Sequence, residues 1–118
     1  MDDKLKNPDE PLRRVAEAYW LTLDERPRFV HHVTQWDGER AAGLLRSRER
    51  LLAEFDESGD SSVEDLLDLE MARFYVEYNS GKLDDSVSSL ARAAAVIVRA
   101  MVQVMAEKAA MESAEAGG

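Results

Sequence analysis

Between Leu90 and Ala106 the chain reads LARAAAVIVRAMVQVMA, and only Arg92, Arg99 and Gln103 interrupt its apolar character. At about 100° of rotation per residue, those three side chains fall in a strip roughly 40° wide, which Asp85 and Ser88 extend. The rest of the circumference is apolar and has to be covered, either by the chain's own elements or by a second copy. The stretch Asp84–Glu112 is therefore expected to be one long helix around which the other elements are arranged.

The chain has 118 residues, 45% of them hydrophobic and 33% charged, the balance of a folded globular domain. The expectation is a single helical domain over residues 1–118, with frayed tails at 1–8 and 113–118. There is no cysteine, so disulfides, thiolate nucleophiles and Cys-ligated metals do not arise. The opening MDDKLKNPDEP lacks the apolar core of a signal peptide. Leu90–Ala106 is shorter than about 18 residues and carries two arginines, so it is not read as a membrane span. Together these give a cytoplasmic expectation.

The elements follow from spacing. Pro11 suits the first turn of a helix, and Leu12, Val15, Ala16, Tyr19 and Leu23 form one stripe over Glu10–Leu23. Asp24 is expected to cap a short second helix carrying Phe29, Val30, Val33 and Trp36. Asp37 caps a third helix, Gly38–Phe55, whose inner face includes Ala41, Leu44, Leu45, Leu51, Leu52 and Phe55 and also takes in Arg48. Asp56–Ser62 reads as a polar loop. Ser61-Ser62-Val63-Glu64 reads as a capping box opening a helix over Ser62–Asn79. Asn79-Ser80-Gly81 closes that helix with a left-handed cap, and the long final helix returns antiparallel. No segment shows period-two alternation. The fold class is all-α, a compact bundle of four to five helices with a long apolar C-terminal helix.

The chemistry-bearing residues do not assemble a reaction centre. His31 and His32 are adjacent and point about 100° apart, with no carboxylate four residues from either. No Gly-x-Ser-x-Gly elbow or phosphate-binding glycine loop is present. Asp56, Ser58 and Asp60 alternate as in a calcium loop, but Ser61 stands where glycine is required and Leu67 where a bidentate carboxylate is required. The expectation is no enzyme, no cofactor and no metal. Arg48 is read either as a stem laid over the core edge or as an ion-pair partner of Asp68 or Glu70. Arg92 and Arg99 are read as partners for Glu70 or Glu77. Arg73, between Glu70 and Glu77, is read as part of a solvated ladder.

The net charge of −9 is concentrated: residues 51–70 hold eight acids and no base. With no basic stripe to offset it, direct nucleic-acid binding is disfavoured. Asp56, Glu57, Asp60, Glu64, Asp65 and Asp68 are either a solvated face or a docking patch for a basic partner. At its extreme such a patch mimics DNA and blocks a nucleic-acid-binding enzyme. Duplex DNA carries one charge per roughly 1.7 Å, so this run imitates only a few base pairs.

Trp36-Asp37-Gly38, set between two helices, resembles the Trp-x-Gly turn of the small helical-hairpin proteins exported by type VII secretion, which are similar in length and often acidic. That resemblance implies a turn between two long helices. Here Pro27 shortens the helix before it, and Asp56–Ser62 cuts the one after. The family's export signal, a tyrosine followed four residues later by an acid, is absent: Tyr75 is followed by Asn79 and Tyr78 by Lys82.

The sequence is thus read as that of an acidic protein–protein interaction module, a homo-oligomer or hetero-complex subunit, with no membrane contact. The oligomer interface is expected on the end of the last helix, at Val98, Met101, Val102, Met105 and Met111.

Overall fold

The computed structural model describes residues 7–29, 38–58 and 61–117, and within them the fold is all-α. Four helices run in order: α1 (Asp9–Glu25), α2 (Gly38–Ser58), α3 (Val63–Asn79) and α4 (Leu83–Gly117). No strand occurs among the described residues. The chain divides into two units, one of Val30–Ile97 and one of Met1–Phe29 with Val98–Gly118.

In the Val30–Ile97 unit, α2 lies against α3, and the buried cluster is Ala41, Phe74 and Tyr75. Ala41, fully buried, has only a methyl group, which leaves room for rings. Phe74 meets Tyr75 edge-on with centroids 5.4 Å apart, which keeps the negative faces of those rings from opposing each other, and lies tilted by 31° to Tyr78 at 5.9 Å. Met71, Val76, Tyr78 and Leu90 pack around this cluster.

The N-cap of α3 sits one residue later than the sequence suggests. Ser62 is the N-cap: its Oγ accepts from the Asp65 N–H at 3.2 Å and donates to Asp65 Oδ2 at 2.7 Å. The residue three beyond the cap is thus Asp65, not Glu64. At the other end, the Lys82 N–H donates to the Glu77 carbonyl (2.9 Å) and the Gly81 N–H to the Tyr78 carbonyl (3.1 Å). Gly81 has φ 75°. These are the 6→1 and 5→2 bonds of a Schellman cap, and they turn the chain back. Glu77 then meets Ser89 and Glu70 meets Arg92, the falling partner numbers of an antiparallel α3–α4 hairpin. Ser86, Ser89 and Ala93, all buried, form the covered side of this part of α4.

In the other unit, Pro11 is buried. It lines a groove of about 220 Å³ with Asn7, Glu10, Val102, Met105 and Ala106, which places the first turn of α1 beside α4. Asn7 Oδ1 accepts from the Asp9 N–H at 3.0 Å, and Pro11 lies where a helix N–H has no partner to lose.

Three expectations about boundaries are corrected. Asp24 caps no second helix but belongs to α1, which ends at Glu25; the Arg26 N–H bonds back to Thr22 O at 2.9 Å. Pro27 pushes the preceding residue out of the helical region, and Arg26 has φ −134° and ψ 70°. Residues 26–29 are not helical, and the remainder of the expected second helix lies outside the described residues. α2 runs to Ser58, so Asp56 and Ser58 are helical and not members of a loop. α4 continues through Ser113–Gly117, where Ala114, Glu115 and Ala116 are strong helix formers.

Candidate interaction surfaces

Glu70 is the most buried charged side chain among the described residues, 4% exposed. Its Oε1 accepts from Arg73 Nη1 and its Oε2 from Arg92 Nε, both at 2.6 Å. Each carboxylate oxygen thereby has a cationic donor, which offsets the cost of removing it from water. Arg92 reaches from α4 with its own side chain 68% exposed, so the pair joins the hairpin from its rim. One turn further along, Ser89 Oγ donates to Glu77 Oε1 at 2.7 Å. The expected solvated ladder around Arg73 is therefore half right: the Arg73–Glu70 pair exists, but Glu70 faces inward and Glu77 bonds across to α4. Among the described residues, no buried side-chain polar atom lacks a partner.

Arg48 pairs with Asp68, Nη1 to Oδ2 at 3.5 Å, tying α2 to α3. Both side chains are substantially solvated, so the pair contributes about 0.2–1 kcal/mol at most.

The six acids of the expected docking patch are not equivalent. Glu64 and Asp68, one turn apart on α3, are exposed, and Asp65 beside them is half-buried and held by Ser62. Glu57 is exposed near the end of α2, Asp56 is helical, and Asp60 lies outside the described residues. Two members of the patch, Asp65 and Asp68, already have partners within the chain. Among the described residues, no group of three or more His, Cys, Asp or Glu side chains is placed to hold a metal ion. His31, His32, Trp36 and Asp37 lie outside them, and Gly38 is the first residue of α2.

Of the residues expected at an oligomer interface, Val98 and Val102 are buried, Met101 and Met105 are half-buried, and Met111 is 65% exposed. Besides Met111, the large apolar side chains exposed on α4 are Leu83, Val87, Ile97 and Val104. By length and composition α4 contains an 18-residue window apolar enough to cross a membrane, and 22% of that window is buried. That low figure matters because a helix serving only as a core would be mostly covered.

α1 carries a second apolar surface. Leu12, Val15, Tyr19 and Leu23 form the expected stripe, yet all four are exposed, as are Trp20 and Leu21 beside them. The opposite side is a charge ladder in which Arg13 bridges Glu10 and Glu17 and Arg14 joins Glu10 at 3.2 Å. The hydrogen bonds from Arg13 and Arg14 hold the Glu10 carboxyl below its ordinary value of 4.5.

Comparison of the chain with protein-family models, with curated proteins and with solved structures finds no match to any of them.

Proposed function

We propose that this protein is a non-enzymatic protein–protein interaction module that acts in the cytoplasm as an oligomer or as a subunit of a complex. The observation that carries the reading is the exposed apolar surface of α1 and α4, where Trp20 is 67% and Val87 64% exposed. Scattered apolar residues are ordinary on a protein surface, but runs along a helix side mark places where a partner sits. The acidic balance of −9 argues for protein and against direct contact with nucleic acid.

Size-exclusion chromatography with light scattering tests the reading. The expected result is a mass above the 13.2 kDa of one chain, rising with concentration. A mass of one chain at every concentration removes the homo-oligomer.

A further inference from the structure

α4 is one uninterrupted helix from Leu83 to Gly117. Along one side, residues recur at alternating steps of four and three: Leu83, Val87, Leu90, Ala94 and Ile97. The same rhythm continues through Met101, Val104, Lys108 and Met111, with Lys108 as its one polar member. Four heptads of this kind are the a/d pattern of a coiled coil, with Leu83, Leu90, Ile97, Val104 and Met111 at d. A straight helix drifts about 20° per heptad against a seven-residue repeat, so a sustained repeat implies a partner helix that follows it.

The fold of a single chain leaves most of this seam uncovered. The d residues Leu83, Ile97, Val104 and Met111 are 58%, 45%, 62% and 65% exposed, and Val87 at a is 64% exposed. The buried residues of α4, namely Ser86, Ser89, Ala93, Val98 and Val102, all lie off the seam. Of the remaining seam residues, Leu90 and Met101 are half-buried, and Leu90 also packs against the Ala41, Phe74 and Tyr75 cluster of its own chain.

We propose that the seam is closed by α4 of a second copy of this chain, packed antiparallel about a two-fold axis. This rests on the oligomer reading and specifies its interface. In an antiparallel pair each a residue faces a d residue, and one register pairs every seam position except Met111, which extends past the start of the partner's α4. Val87 then faces Val104, Leu90 faces Met101, Ala94 faces Ile97 and Leu83 faces Lys108, each layer occurring twice by symmetry. The small Ala94 meets the large Ile97, so the central layers fill evenly. Lys108, whose ammonium group lies 3.5 Å from Glu112 Oε1 in the single chain, lays its stem on Leu83. A parallel pair instead stacks Lys108 on Lys108 and Ala94 on Ala94, placing like charges together and leaving a gap. The seam, roughly 40 Å long, removes on the order of 1,000 Å² in total, the lower end for a specific interface, so the dimer is concentration-dependent.

The absence of cysteine from the chain makes the test direct. Val87→Cys and Val104→Cys are prepared singly, one carrying a mass tag, and treated with a short bis-maleimide. The expected result is a cross-linked pair from the mixture and little from either variant alone. Efficient self-linking of Val87→Cys shows a parallel pair and overturns the proposal. Failure of every combination to link, while light scattering still reports a dimer, overturns the seam but leaves the oligomer reading standing; a monomer at every concentration removes both. Val87→Glu, at a position exposed in the single chain, is expected to weaken the dimer roughly tenfold or more at unchanged helicity, because two glutamates are then buried unpaired. An unchanged dimer constant overturns the proposal. So does flotation of the wild-type chain, and not of Val87→Glu, with phosphatidylcholine vesicles in the absence of any dimer, which assigns the face to a lipid surface.

Discussion

At the scale of single residues, a buried carboxylate depends on its partners. Glu70 is held between Arg73 and Arg92. Glu70→Ala removes a side chain that fills space and leaves a hole against the hairpin, and it is expected to lower unfolding stability by about 2–3 kcal/mol in urea melts. Glu70→Met keeps the volume without the charge and is expected to cost about 1 kcal/mol or less. A double-mutant cycle of Glu70→Gln with Arg92→Gln is expected to give a coupling of about 1 kcal/mol, limited by the solvent around the Arg92 guanidinium. A coupling near zero would show that Arg92 only rests on the carboxylate. The sequence named both partners through helix spacing and the antiparallel hairpin. It could not say that Glu70 faces inward, because an i, i+3 pair looks the same on a solvated side and beneath a crossing helix.

At the scale of elements, the junction between α3 and α4 rests on one backbone conformation. Gly81 has a positive φ, and a Cβ added there would meet nothing within 4 Å. Gly81→Ala is therefore a purely conformational perturbation, expected to cost about 1 kcal/mol in thermal melts followed by circular dichroism, with Gly81→Asn costing less. Equal stability of all three would mean that the cap is not maintained in solution. This turn was legible because few residues accept a left-handed cap, and α2, α3 and α4 start within a residue of where their spacing places them. The boundary at Pro27 was not. Asp24 has the chemistry of an N-cap, but Thr22 supplies a carbonyl that closes α1 before the proline. A cap signal competes with its surroundings, and a proline constrains the residue before it whatever the cap offers.

At the scale of the whole molecule, each copy carries a net charge of −9. Two copies repel, and salt shortens the reach of that repulsion from about 10 Å at 0.1 M to about 3 Å at 1 M. Self-association is therefore expected to strengthen as ionic strength rises, read by sedimentation equilibrium; a dimer weakened by salt would place attraction between charges, and not apolar contact, at its centre. The acids between residues 51 and 70 lie partly on the first turns of α3, where Glu64 and Asp65 favour the positive end of the helix dipole. That local role accounts for part of the imbalance without any partner. The sequence by itself determined the helical class, the hairpin turn and the stripe on α1, because each is a matter of residue spacing and backbone preference along a continuous stretch. Only the tertiary structure decided which sides of α4 are covered. Val98 and Val102 are as apolar as Val87 and Val104, and residue type alone does not say which pair is covered. What separates them is which residues the chain itself covers: Ser86, Ser89 and Ala93 are buried on one side of α4 and Val98 and Val102 on nearly the opposite side, and most of the heptad seam is left open.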